Sequence, residues 1–282
     1  MQDINRFFAF GCSFTNYKWG TWANILGADL DCEFYNLGKS GAGNTYISNM
    51  ISQADSYFNF NSKDLIIVCW TNISREDRWI DNSWVTPGNI YSQPVYDHSF
   101  VENYANEIHF SLRDFSYMHF VKNLLEHKGA NFYFLQMCDI KKTLNQWETK
   151  SKIDKKIKRI TNLYEDTLSY MTPSFYDVLW NGDMKNKWKR DWKEIHPNYS
   201  DGHPTLFEHL RYLEKTIAPW ISIKTKTAVR HLYNDWKEYV QHEYTKTSKP
   251  HGLHDFPNDW VDQMIKNYKF NPGEPIPHAL FD

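Results

Sequence analysis

Residues 65–70 read LIIVCW and run directly into Thr71-Asn72. Six apolar residues without polar alternation are too few for a buried helix and suit a strand covered on both faces. Such strands belong to parallel sheets sandwiched by helices. Working outward, RFFAF (6–10) is a second short apolar run, ended by Gly11. EFYNL (33–37) is read as a further strand, ended by the glycine-rich loop GKSGAGN (38–44), and NFYFLQM (131–137) as the fourth. FYDVL (175–179) is read as a fifth strand. Helical patterns fill the intervals at 15–26, 45–57, 100–128, 150–170 and 205–217. Residues 73–99, with Pro87-Gly88 and Pro94, read as a long irregular loop over the sheet edge. Strands alternating with helices predict an α/β fold with a doubly wound parallel sheet, whose functional groups sit at the C-terminal ends of the strands.

Past Pro219 the pattern changes. Residues 221–244 read as one long helix, and residue 249 onward is rich in His, Pro and Trp. The expected division is therefore a main domain, 1–222, and a C-terminal helix with a Pro-rich tail, 223–282. That second part is expected to pack on the body or on a neighbouring chain, making a homo-oligomer or assembly through the tail.

Composition narrows the partners. Among 282 residues, 32 Lys+Arg against 34 Asp+Glu leave a formal charge of −2. That balance offers no general surface for nucleic acid, so the Lys-rich stretch at 150–170 reads as a solvated helix face. No run approaches a membrane span, and the N-terminus shows no secretory signal. The expectation is no membrane association and a cytoplasmic or virion-associated location. Aromatic residues make up 17% of the chain. They read mainly as core, with stacking on sugar rings as the second use. Cys12, Cys32, Cys69 and Cys138 form no CxxC pair and read as reduced apolar residues.

The strand ends carry the chemistry. Gly11-Cys12-Ser13 follows the first strand, Gly38 to Gly43 the second and Thr71-Asn72 the third, while Ser200-Asp201-Gly202-His203-Pro204 precedes a helix. A parallel sheet gathers such ends on one edge. A serine hydroxyl needs a base to become a nucleophile, and an imidazole suits that task. The Ser13 N–H, the Gly41 N–H and the Asn72 amide are candidate donors to an oxyanion. This is the equipment for acyl transfer.

In order and spacing, GCSFTNYKWG, NLGKSGAGN, VCWTN and SDGHP resemble the four sequence blocks of the SGNH hydrolase superfamily, the GDSL-type esterases and lipases. The likeness extends from about residue 6 to about residue 217 and includes phage-encoded members in its compositional style. It implies a flavodoxin-like, three-layer α/β/α fold, to which the pattern past Pro219 adds a C-terminal helical extension. It implies Ser13 as nucleophile, His203 as base, and Ser13, Gly41 and Asn72 as the oxyanion hole. It also implies hydrolysis of ester-linked acyl groups through an acyl-enzyme, with no metal and no cofactor. The substrate would be a small-molecule or carbohydrate ester, such as O-acetyl groups on a glycan. An O-acetyltransferase on the same site is one alternative; a non-catalytic structural or glycan-binding virion protein with a vestigial site is another. Two positions depart from the pattern. Cys12 stands where the family has Asp, and the acid expected at position 200 is Ser. Asp201 is the candidate to orient His203, with Ser200 or a backbone carbonyl as alternatives.

Plainer readings stand beside these. Ser13 suits a helix N-cap, and Gly41, Gly38 and Gly43 suit turns. His196 and His209 compete with His203, while His251, His254 and Asp255 form a tail cluster with metal-like spacing. Arg75 and Arg78, just after Asn72, are candidate binders of an acidic substrate group.

Overall fold

The computed structural model describes residues 4–17, 19–91, 95–142, 153–182 and 201–246. Its centre is a parallel sheet of β1 (Arg6–Phe10), β2 (Glu33–Asn36), β3 (Asp64–Trp70) and the sixth strand of the chain, β6 (Asn131–Gln136), in the order β2-β1-β3-β6. Between β3 and β6 lies a small antiparallel hairpin, β4 (Arg78–Ile80) and β5 (Ser83–Val85). Every residue of β3 is buried, as a strand flanked on both sides and covered on both faces requires. Phe7, Phe8, Ala9 and Phe10 of β1 are likewise fully buried. At about 1.5–3 kcal/mol per large apolar side chain removed from water, these two central strands form the apolar spine of the fold.

The helices follow the hydrophobic pattern with informative departures. The expected helix at 15–26 begins later, as α1 (Trp22–Asp29). Residues 12–16 instead form a tight turn, with the Thr15 and Asn16 N–H groups both donating to the Cys12 carbonyl. Thr21 starts α1: its N–H donates to Asn24 Oδ1 (2.9 Å), while its hydroxyl donates to the Thr15 carbonyl. Gly27 lies inside α1 rather than ending it; a Cβ there would come within 2.5 Å of the Phe34 ring. The second helix, α2 (Asn44–Phe58), matches its expectation closely.

The stretch expected as one helix over 100–128 is two, α3 (His98–Tyr104) and α4 (Glu107–Lys128). Asn106 separates them by capping α4, its Oδ1 accepting from the His109 N–H at 3.0 Å. The exposed basic segment holds α5 (Ile153–Leu163) and the short α6 (Glu165–Leu168). The fifth strand expected at 175–179 is instead a helix, α7 (Phe175–Trp180). Ser174 caps it by accepting from the Asp177 N–H at 3.0 Å, a local preference that outweighs the strand reading of FYDVL.

A capping box then opens α8 (Leu206–Lys215): Thr205 accepts from Glu208 N–H at 3.1 Å and Glu208 from Thr205 N–H at 2.8 Å. The last element is α9 (Ile223–Lys246). It packs on α8 and α1, with Val229, Leu232 and Trp236 buried. On the other side, α2 packs on β1 and β3, and α4 packs on α2.

Trp19, Trp22, Trp70, Trp180 and Trp236 are buried, whereas Trp79 and Trp220 are exposed. Cys12, Cys69 and Cys138 are buried free thiols and Cys32 is half-buried. Among the described residues, no helix is long and apolar enough to cross a membrane.

Candidate functional site

The sheet order places β2 on one side of β1 and β3 on the other, so the chain reverses its winding direction between β1 and β3. Loops leaving these strands border a crevice at such a reversal. Ser13 sits in the tight turn after β1, so it is not a helix N-cap; that place belongs to Thr21. The loop after β2 is tied across to this turn. Lys39 N–H donates to the Gly11 carbonyl at 3.0 Å, and Asn16 Nδ2 to the Gly38 carbonyl at 3.1 Å.

His203 reaches Ser13 from 190 residues further along the chain: its Nε2 lies 2.8 Å from Ser13 Oγ. Its Nδ1 lies 2.6 Å from Asp201 Oδ1, which also accepts the His203 backbone N–H at 2.7 Å. The acid two residues before the histidine thus reaches the ring by curling its own loop, in the form of an Asx turn. Ser200 lies outside the described residues. Burial alone would raise the Asp201 carboxyl, but His203 and the Tyr17 hydroxyl together outweigh it and hold it below the ordinary aspartate value. Ser13 is buried, and the His203 side chain keeps about a quarter of its surface exposed, 26%.

Gly41 adopts a left-handed φ of +77°, and a Cβ there would collide with the Thr86 carbonyl oxygen. A non-glycine residue would be both strained and obstructed at this position. Thr86 also donates its hydroxyl to the Ser40 carbonyl at 2.9 Å, so the segment after the β4–β5 hairpin clamps this loop. Asn72 Oδ1 accepts from the Ser74 N–H (2.8 Å) and hydroxyl (2.7 Å). Both bonds use the carbonyl oxygen of the amide.

Arg75 and Arg78 are engaged within the protein. Arg75 Nη1 donates to the Ala42 carbonyl at 2.8 Å, bracing the glycine loop. Arg78 pairs with Glu76 at 2.6 Å and lies over the Phe100 ring. His209 is buried in α8 against Phe14 and Phe175. His196, His251, His254 and Asp255 lie outside the described residues. Among the described residues, no three His, Cys, Asp or Glu side chains gather as a metal site.

Sequence reasoning missed the polar groups that hold these loops. Asn44, the first residue of α2, accepts from Thr71 N–H (3.0 Å) and donates to the Thr71 carbonyl (3.2 Å) and to Asp114 (2.7 Å). This fixes the strand end that carries Asn72. Asp77 accepts the Gly43 and Tyr46 N–H groups at the start of α2, both at 2.8 Å. Arg113 joins Asp114 and Glu76, each at 2.6 Å. The available signal was charge inside an otherwise apolar helix face, since Asp114 lies four residues after Phe110 and four before Met118. Tyr17 was also missed. Its place four residues after Ser13, with Trp19 two further on, was the visible cue.

Neither the protein-family models nor the curated proteins gave a match to this chain. The site itself holds a hydroxyl, an imidazole and a carboxylate in one hydrogen-bonded line, on a turn tied to the glycine loop.

Proposed function

We propose that this chain is a serine esterase of SGNH type that cleaves ester-linked acyl groups through an acyl-enzyme. The observation that carries the proposal is the line Ser13 Oγ–His203 Nε2 (2.8 Å) and His203 Nδ1–Asp201 Oδ1 (2.6 Å). In this reading His203 removes the Ser13 proton as the oxygen attacks the acyl carbon. The Asp201 carboxylate fixes the ring tautomer and stabilises the imidazolium that results. The Ser13 N–H, the Gly41 N–H and Asn72 Nδ2 receive the negative oxygen of the tetrahedral intermediate. His203 then protonates the departing alcohol, and water repeats the sequence to free the acid. An intact hydrogen-bonded line supports an active site over a vestigial one.

The proposed architecture is a flavodoxin-like three-layer α/β/α domain over 1–222 with a C-terminal helical extension over 223–282. Carbohydrate O-acetyl esters are the proposed natural substrate class.

The test is hydrolysis of p-nitrophenyl acetate by the purified chain. Release of p-nitrophenol is expected, and Ser13→Ala should abolish it. Asn72→Ala should slow it by about 10²–10³-fold, the loss for one oxyanion donor. Equal rates for the parent and Ser13→Ala would overturn the proposal.

A further inference from the structure

The turn after β1 carries Tyr17 across to the loop that holds His203. The Tyr17 hydroxyl donates to Asp201 Oδ2 at 2.9 Å, the carboxylate oxygen that His203 does not use. Its ring also lies flat on the imidazole, with centroids 3.8 Å apart and planes inclined by 21°. One side chain therefore touches both partners of the acid–histidine pair. Burial and the charge of Asp201 both raise the phenol's pKa, so the hydroxyl remains a donor.

Tyr17 is itself braced. Trp19 meets it edge-on at 4.6 Å. Trp19 is anchored by an indole N–H bond to the Pro204 carbonyl at 2.8 Å, and packs on Trp236 of α9 at 5.4 Å. A chain of aromatic contacts thus runs from the C-terminal helix to the imidazole.

We propose that Tyr17 is a positioning residue for the His203–Asp201 pair, held in place by α9 through Trp19 and Trp236. The proposal rests on the esterase reading of the same site. The hydroxyl fixes the carboxylate and draws part of its charge away from the ring. The ring face favours the imidazolium that forms when Ser13 gives up its proton. Among the described residues, the groups facing the imidazole are Asp201 on its own loop, Ser13 and Tyr17 on the turn after β1, and the edge of Phe14 at 5.7 Å. From α8, His209 stands against Phe14 at 6.4 Å.

The test compares the full-length parent, Tyr17→Phe and Tyr17→Leu by ester hydrolysis and by NMR titration of the His203 ring. Tyr17→Phe keeps the stack and removes one hydrogen bond to a charged group. It should lower kcat about tenfold with KM little changed. It should also raise the His203 titration midpoint by about half a pH unit, because the whole carboxylate charge then bears on the ring. Tyr17→Leu removes both contacts and should lower kcat about a hundredfold, so that Phe restores part of the loss. A packing role alone would leave Tyr17→Phe at the parent's rate and midpoint, and that result would overturn the proposal. A parent that hydrolyses no ester, but whose His203 midpoint rises in Tyr17→Phe, would remove the esterase reading and uphold the positioning of the pair.

Discussion

Asp201 divides its two oxygens, one for the His203 ring and backbone and one for Tyr17. A carboxylate with three donors stays ionised, and its value below the ordinary aspartate range follows. The sign of the pH effect is fixed by that direction. A depressed native value contributes stability that is present above the unfolded value of about 3.9 and lost as pH falls through the native one. Asp201 is therefore charged throughout the neutral range. Asp201→Asn should leave the fold intact by circular dichroism and lower kcat/KM by up to about 10⁴-fold, the cost of the wrong tautomer in the serine protease template. A folded variant within about threefold of the parent would mean that the imidazole works without its acid.

At the scale of elements, the site depends on strand ends that polar side chains hold from beneath. Asn44, itself held by Asp114, grips Thr71, while Asp77 grips the start of α2. Burial raises the Asp114 carboxyl to about 6, against the pull of Arg113 and Asn44. A raised native value has the opposite sign from Asp201. Its stabilising effect is full below about pH 4 and is lost as pH rises to about 6. The linked change is roughly 3 kcal/mol. Urea unfolding at pH 4 and pH 7 should show this decline in the parent and a smaller one in Asp114→Asn; equal declines would contradict it.

These supports also mark what could be read from the sequence. The central strands β1 and β3 were legible because short apolar runs that alternate with helical patterns suit a sheet covered on both faces. Ser13 was legible from its place after a parallel strand, whereas Asp201 and His203 follow no described strand and were picked out by the likeness of SDGHP to a family block. Residues 175–179 were misread because five apolar-rich residues fit either element, and the Ser174 cap decided for helix. The start of α1 was misplaced because Thr15 and Thr21 bond to the backbone of the turn rather than opening a helix at residue 15. Tyr17 escaped because a stack on a residue 186 positions away leaves no periodic trace.

Across the whole molecule, α9 shares the apolar core of the main body instead of standing apart. Leu232 and Val229 belong to that core, and Trp236 meets Trp19 beneath the His203 loop. Removing a buried indole typically costs about 3–5 kcal/mol. Trp236→Ala should therefore lower the unfolding free energy by about 3 kcal/mol in urea titration. A loss under about 1 kcal/mol would mean that α9 rests on the body without contributing to its core.

The central claim is that Ser13 is a nucleophile activated by His203. A fluorophosphonate reacts covalently with such a serine, and intact-mass spectrometry followed by peptide mapping locates the adduct. A single phosphonyl group on Ser13 is expected, absent in Ser13→Ala and strongly slowed in His203→Ala. An unmodified Ser13 in a folded parent, or equal labelling of the parent and His203→Ala, would contradict it.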